Sequence, residues 1–470
     1  MSTDCCTGAY DLAVIGAGSA GFSAAITAAD QGARVALIGH GTIGGTCVNV
    51  GCVPSKTMIR ATDILHHANG GRFDGIQASG QLTDWSAIVA QKDDLVATLR
   101  QSKYIDQLDN HDGIDYLSGG ATFSADGLLF DSAPLAAEKT IIASGSRASV
   151  PAIPGLDGVP YLTSTTAFEL EELPRSILLI GGGYIGCEVA QMLARAGVEV
   201  TIACRSRLLP EGEPEISDAL RGYLRDEGLA VLDGLHYESL EHNEAGVTLK
   251  VRANDGMRAI SAERLLLSAG RRPNTDGLGL DVAGVGTQAN GGVIIDERMR
   301  TSRPGVYAAG DVTGQDQFVY MAAYGAKIAA QNALNGDSLC YDNNAMPAVV
   351  FTDPQVATVG LTEAAATAAG HDTVTSLLPL EFVPRALAAR DTRGLIKLVA
   401  DRASKRLLGA HILAPEGADS IQTAALAIRQ NMTYVELGEM IFPYLTTVEG
   451  LKLAAQTFEK DIAKLSCCAG

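Results

Sequence analysis

No apolar run in this chain of 470 residues reaches the roughly 18 to 20 residues that cross a bilayer, so no spanning helix is expected. No leader-like segment precedes the first strand-like run, Leu12-Ala13-Val14-Ile15. Cytoplasm is the expected compartment. Cysteine is too sparse and irregular for a secreted disulfide framework, with nine residues at positions 5, 6, 47, 52, 187, 204, 340, 467 and 468. The eight histidines lack metal-ligand spacing, so no structural zinc is inferred. Positive charge is also short. Lys and Arg number 36 against 54 Asp and Glu, a net charge of −18. That balance disfavours nucleic acid and anionic membranes as partners. It fits either ordinary acidic solubility or adaptation to high salt, where screening relieves self-repulsion.

What is present is a globular composition, 47% hydrophobic and 19% charged, on a length that suits about two to four domains. Two strand–turn–helix units stand out. Leu12 to Ile15 leads into Gly16-Ala17-Gly18-Ser19-Ala20-Gly21, an Ala-rich helix to about Gln31, and a strand Arg34 to Ile38. Ser176 to Ile180 leads into Gly181-Gly182-Gly183-Tyr184-Ile185-Gly186, a helix to Ala196 capped by Gly197, and a strand Val198 to Ala203. In such turns Gly16, Gly18 and Gly21, or Gly181, Gly183 and Gly186, let the backbone approach a pyrophosphate at a helix N-terminus. The acidic residue expected after the second strand to hold a ribose hydroxyl is missing from both units. Gly39 stands there in the first, so the adenosine ribose must be held differently. In the second stand Arg205 and Arg207, which suit a 2′-phosphate and hence NADPH over NADH.

The first domain is expected to be interrupted and resumed, with 293–296 and 305–311 returning to it as strands. The expected division is 1–155 and 289–345 for one nucleotide domain, 156–288 for the other, and 346–470 for a third of strands followed by helices. Cys47 and Cys52 lie in Gly44-Gly45-Thr46-Cys47-Val48-Asn49-Val50-Gly51-Cys52-Val53-Pro54-Ser55-Lys56. Cys52 is expected to open a helix, which Pro54 tolerates at its start. A helix N-terminus favours thiolate, the nucleophilic and metal-binding form.

The run Gly44 to Lys56 resembles the active site of the pyridine nucleotide–disulfide oxidoreductases. So do Ile142 to Ser146, Gly270 to Thr275 and Tyr307 to Asp311. The resemblance spans nearly the whole chain. It implies an α/β fold with two Rossmann-like domains, for FAD and NAD(P)H, and a C-terminal α+β dimerisation domain. It implies a homodimer with active sites shared between subunits. Cys52 would then be the sulfur beside the flavin and Cys47 the exchanging one. Lys56 would pair with Glu188, Tyr184 would cover the nicotinamide pocket, and Asp311 would hold the ribityl chain. Gly41, Thr46, Ala121, Gly145, Gly270, Gly310 and Val319 would be further cofactor contacts.

Disulfide-reducing members carry a proton-donating histidine before a proline near the C-terminus; here Phe442 precedes Pro443. Without that acid, the leaving group is expected to need no proton, as with a soft metal ion held by thiolates. The likeness is strongest to the branch that reduces thiol-bound Hg(II), in which a tyrosine matching Tyr444 lies beside the metal. There a tail like Cys467-Cys468 captures Hg(II) and passes it to the Cys47–Cys52 pair of the other subunit. All four cysteines are thus candidate mercury ligands. Cys5-Cys6 is left as an accessory thiol site or a linker remnant, and Cys187, Cys204 and Cys340 are read as structural. The competing readings are a thioredoxin-reductase-like or lipoamide-dehydrogenase-like enzyme, which Phe442 disfavours, and a flavoprotein that only sequesters metal, which the intact dithiol motif disfavours.

If the acidic excess is an adaptation to salt, molar NaCl should maintain or raise both activity and Tm. Strong inhibition without gain in Tm would identify ordinary acidic solubility instead.

Overall fold

A computed structural model describes residues 9–462. The chain divides into two compact units. The first takes in the residues up to Ser55, Val89–Ser149 and Gly270–Asp342. Its centre is a five-stranded parallel sheet in the spatial order Val306–Ala308, Ala137–Ile142, Tyr10–Ile15, Val35–Gly39, Ile114–Ser118. The inner strands Tyr10–Ile15 and Val35–Gly39 are short apolar runs buried on both faces, as parallel strands are. The Ala-rich helix Ser19–Ala29 packs on Val319–Asn335 through Ala24, Ala25 and Ala28 on one side and Ala326, Ala329 and Ala330 on the other. Small side chains let the two backbones come close, and Ser23 Oγ donates to Ala323 O at 2.8 Å. The return of Val306–Ala308 to this sheet agrees with the sequence reading. Ile294 to Asp296 does not form a strand; only Val293 pairs there, in a bridge with Thr287, while Asp296 closes a turn onto the main chain of Arg298 and Arg300.

The second unit takes in Lys56–Ile88, Val150–Ala269 and the residues from Asn343 on. It holds a second parallel sheet, Ala230–Leu232, Glu199–Ala203, Ser176–Ile180, Arg264–Leu267 and Tyr161–Thr163 in that spatial order. A three-stranded antiparallel meander, His236–Asn243, Gly246–Ala253 and Gly256–Ala262, packs into the same core. From Pro347 the pattern changes to an antiparallel five-stranded sheet with the helices Gly417–Arg429, Tyr434–Glu439 and Glu449–Gln456. The helix Cys52–Asn69 opens at the predicted cysteine. The chain is thus α/β, with two Rossmann-like nucleotide-binding domains and a C-terminal α+β domain.

One charge is taken deep into the C-terminal sheet. Lys397, on the strand Leu395–Asp401, is almost fully buried. Its ammonium meets Glu213 and Glu215 at 2.9 Å and Glu363 at 2.8 Å. Removing Lys397 leaves Glu213 charged and buried without its cation, while Glu215 and Glu363 reach solvent. Lys397→Met should therefore destabilise the protein by about 3–5 kcal/mol, seen as a lowered Tm. An unchanged Tm would show that the cluster adds nothing.

Candidate functional site

In the first unit the turn at Gly16-Ala17-Gly18 is dictated by close approach. Gly16 has φ +119°, and a Cβ there would lie 2.2 Å from Ala143 O. A Cβ on Gly21 would lie 1.7 Å from Gly16 O, so only glycine lets the helix sit on the turn. Gly18 is the N-cap and supplies no side-chain cap, which leaves the helix N-terminus open to an anion. At Gly39 an added Cβ would meet the Ala17 Cβ at 2.5 Å and the Tyr116 hydroxyl at 3.2 Å. No acidic side chain fits there, which explains its absence from the sequence.

The cysteine loop is fastened to that turn. Gly44 N donates to Ala17 O at 2.9 Å, and a Cβ on Gly45 would come within 2.6 Å of Gly18 Cα. Cys47 lies in the helix Gly45–Val50, Cys52 begins the next helix, and both are half-buried. Asn49 ties the loop together, donating to Ile43 O at 2.8 Å and Gly45 O at 2.9 Å and accepting from Arg100 Nη1 at 3.0 Å. Tyr104 stands over it. A Cβ on Gly44 would lie 3.2 Å from the Tyr104 ring, and its hydroxyl is 3.1 Å from Ser19 Oγ. Burial holds the Tyr104 phenol above its ordinary range, and the charges of Cys47 and Cys52 act in the same direction. Tyr104 was not legible in the sequence. It sits on a π-helical turn, Gln101–Ile105, more than fifty residues from Cys47, and neither motif nor periodicity marks it.

The other motifs of this unit converge. Ser146 Oγ donates to Asp311 Oδ2 at 2.6 Å, and Arg271 Nε donates to Ser146 Oγ at 2.7 Å. Asn274 N donates to Gly145 O at 2.9 Å, and Gly270 O accepts from Ser149 N at 2.9 Å. Gly310 precedes Asp311 at the start of a short 3-10 turn. Gly41 lies in the loop after Val35–Gly39, Thr46 in the helix of Cys47, Ala121 at the head of the strand Ala121–Ser124, and Val319 at the head of Val319–Asn335.

The second unit repeats the turn. A Cβ on Gly181 would lie 2.4 Å from Ser268 O and one on Gly186 2.2 Å from Gly181 O. Gly183 differs, because a Cβ there would meet nothing within 4 Å. It caps the helix Tyr184–Arg195 without a side-chain bond, and packing does not require glycine there. Tyr184 is half-buried; burial holds its phenol above the ordinary range, against the opposing effect of a hydrogen bond with Thr358. Glu188 is buried and accepts from Lys56 Nζ at 2.8 Å and from Phe351 N at 2.9 Å, while the ammonium lies 4.7 Å from the Phe351 ring centroid. The pairing of Lys56 with Glu188 is thus present.

Arg205 is exposed after the strand Glu199–Ala203. Arg207 is half-buried, and its Nη2 donates to Pro210 O at 3.0 Å and Gly212 O at 2.5 Å. These two bonds tie it to its own loop. Phe442 packs against the core of the C-terminal domain and Tyr444 is exposed. Cys187 and Cys204 are buried; burial pushes both thiols up, that of Cys204 to about 12, as suits structural cysteines. Cys5, Cys6, Cys467 and Cys468 lie outside the described residues. Among the described residues no helix is long and apolar enough to cross a membrane, and no cluster of three or more His, Cys, Asp or Glu is arranged to hold a metal ion.

Two uncapped dinucleotide turns and a half-buried dithiol at a helix N-terminus define a nucleotide-dependent dithiol oxidoreductase. The comparisons agree. Residues 10–330 match the Pyridine nucleotide-disulphide oxidoreductase family and residues 346–455 its dimerisation domain, and the chain belongs to that family. It is 47% identical over 469 residues to the mercuric reductase of Streptomyces lividans, covering 98% of each chain. It is 46% identical over 463 residues to that of Lysinibacillus sphaericus, covering 98% of this chain and 85% of the other. Among solved structures, the HOCl-induced flavoprotein disulfide reductase RclA from Escherichia coli aligns with TM-score 0.83 at 31% identity, over 95% of this chain and 99% of that one. LpdA from Mycobacterium tuberculosis aligns with TM-score 0.82 at 25% identity, over 96% and 99%.

The glycines and arginines separate two kinds of defect. Gly21→Ala should give protein with little flavin and a lower Tm, whereas Gly183→Ala should keep both and raise KM for NADPH. Arg205→Ala should raise KM for NADPH far more than for NADH, by roughly 1.5–3 kcal/mol of lost charge-assisted bonding. Arg207→Ala should raise both KM values together. Equal losses for both cofactors in Arg205→Ala would remove it as the 2′-phosphate ligand.

Proposed function

We propose that this chain reduces thiol-bound Hg(II) to Hg(0) with NADPH, as the detoxifying step of mercury resistance in the cytoplasm. The family and the identity to mercuric reductases support the class. The observation that selects the substrate is Phe442, an apolar side chain packed into the domain core where a disulfide reductase needs a proton donor. Thiolates leaving a soft metal ion need no such donor.

FAD and NADPH are the cofactors, and when bound they deliver two electrons as hydride from nicotinamide to flavin and on to the dithiol centre. The open helix N-termini after Gly18 and Gly183 fit their pyrophosphates. In this reading residues 1–155 and 289–345 hold FAD, 156–288 hold NADPH, and 346–470 dimerise. Gly16, Gly21, Gly41, Thr46, Ala121, Gly145, Gly270, Gly310, Asp311 and Val319 line the flavin side; Gly181, Gly186 and Arg205 line the nicotinamide side. Tyr184 covers the nicotinamide pocket, and the Lys56–Glu188 pair holds a positive charge near the flavin. Cys47 and Cys52 clamp Hg(II) as thiolates, and Tyr104 stands beside them. The dimer shares its sites, with Tyr444 and the Cys467-Cys468 tail of one subunit serving the dithiol of the other.

Purified holoenzyme should oxidise NADPH only when Hg(II) and a thiol are present, with Hg(0) trapped in the gas stream. Turnover of lipoamide or another disulfide without Hg(0) would replace this reading with disulfide reduction. Cys52→Ala should abolish the long-wavelength flavin–thiolate absorbance, while Cys47→Ala should retain it; the reverse would exchange their roles. Removing Cys467 and Cys468 should slow turnover of glutathione-bound Hg(II) and leave turnover of Hg(II) bromide largely intact. Equal rates on the glutathione complex would mean that the tail delivers nothing.

A further inference from the structure

The helix that follows the nicotinamide turn carries more than Tyr184 and Glu188. Glu188, Gln191 and Arg195 fall on one face of Tyr184–Arg195, at i, i+3 and i+7. Each makes buried polar contacts within the second unit. Gln191 is clamped to the main chain of Asp353, donating to its carbonyl at 2.9 Å and accepting from its N–H at 2.8 Å. Arg195, with its side chain 2% exposed, gathers three carboxylates from three segments. It holds Glu227 with two nitrogens at 2.8 and 2.7 Å, Asp63 at 2.7 Å and Asp353 at 3.0 Å. Glu227 ends the helix Pro214–Asp226, Asp353 precedes the strand Gln355–Gly360, and Asp63 lies on the cysteine helix Cys52–Asn69.

The spacing of the two outer contacts is the informative part. Lys56 pairs with Glu188 and Asp63 with Arg195. The step is seven residues on both helices, two turns or about 10.5 Å. A slip of one helix along the other by a single turn would break both pairs at once. Cys52 lies one turn before Lys56 on its helix, and Tyr184 one turn before Glu188 on the other. Buried ion pairs seldom add net stability over well-packed apolar side chains; where they are retained, setting register is their best-attested use. An extended apolar contact would tolerate sliding, whereas a guanidinium fork facing three fixed carboxylates does not.

We infer that Arg195 is a positioning residue for the redox step: with Asp63 it locks the axial register between the cysteine helix and the nicotinamide-turn helix, so that electrons supplied by NADPH reach the dithiol. This deepens the proposed function only in its use of NADPH to reduce the dithiol, and it needs nothing from mercury.

The test uses FAD-loaded enzyme under anaerobic conditions without Hg(II). NADPH is mixed in, and the rate and final amplitude of the long-wavelength flavin–thiolate absorbance are recorded beside flavin content and Tm. Arg195→Met should keep its flavin but develop the absorbance at least about tenfold more slowly, since displacement by an ångström costs about 10²-fold in a positioned reaction. Arg195→Lys should recover part of the rate, because an ammonium cannot reproduce the fork. Asp63→Asn keeps the shape and removes one charge, and should slow the step by a few-fold. Wild-type rate and amplitude in Arg195→Met, with only a lower Tm, would overturn the inference and leave Arg195 structural. If Arg195→Met does not fold, Asp63→Asn decides, and an unchanged rate there overturns it equally. Normal absorbance in the parent, slowed absorbance in the variants and no Hg(0) from the parent would sink mercury reduction while upholding the role of Arg195.

Discussion

A charge taken out of water must find a partner, and on the helix Tyr184–Arg195 that requirement governs the chemistry around it. Glu188 is 6% exposed, and the Arg195 side chain is more deeply covered still. A charge buried without a partner would be costly at either place. Lys56 and Asp63 answer them from the cysteine helix, and the Phe351 N–H and the Asp353 carboxylate complete the set. Breaking one partner of a buried pair typically costs about 3–5 kcal/mol, so the arrangement cannot drift without unfolding part of its surroundings. The helix that carries Cys52 is therefore held by electrostatics as well as by packing.

The nucleotide turns obey a different constraint, the hard contact of backbone with backbone. At Gly16, Gly21, Gly181 and Gly186 an added Cβ would collide with a carbonyl oxygen. Gly183 is under no such pressure. The same distinction separates the two arginines after the second strand. Arg207 is turned onto the carbonyls of its own loop, and Arg205 is left at the surface. A motif thus mixes residues that packing dictates with residues that packing leaves free.

The replacement of an acid by Phe442 joins fold to chemistry. Its ring packs on the core of the C-terminal domain, so this position contributes cohesion where a histidine would contribute a proton. A dithiol without an acid is poorly suited to releasing a thiol from a disulfide. It is well suited to a substrate that two thiolates grip and then lose as a neutral atom.

The features legible in the sequence were those written in local backbone and short spacing. The two glycine turns, the flanking apolar strands, the helix opening at Cys52, and the change to strands and helices after Met346 each depend on residues near one another in the chain. Even the pairing of Lys56 with Glu188 could be expected, though only through resemblance to a family. Ile294 to Asp296 misled, because an apolar pair beside a turn reads as a strand while the Asp296 carboxylate bends the chain back on itself. Tyr104, the Asn49–Arg100 brace and the gathering of Asp63, Glu227 and Asp353 around Arg195 left no such trace. Each joins segments that meet only after folding, and which side chain fills a gap or neutralises a charge is decided by distances through space. The sequence by itself determined where nucleotides and sulfur chemistry are placed along the chain; the tertiary structure alone decided which charges hold those places still, because burial, and not spacing, makes a partner obligatory.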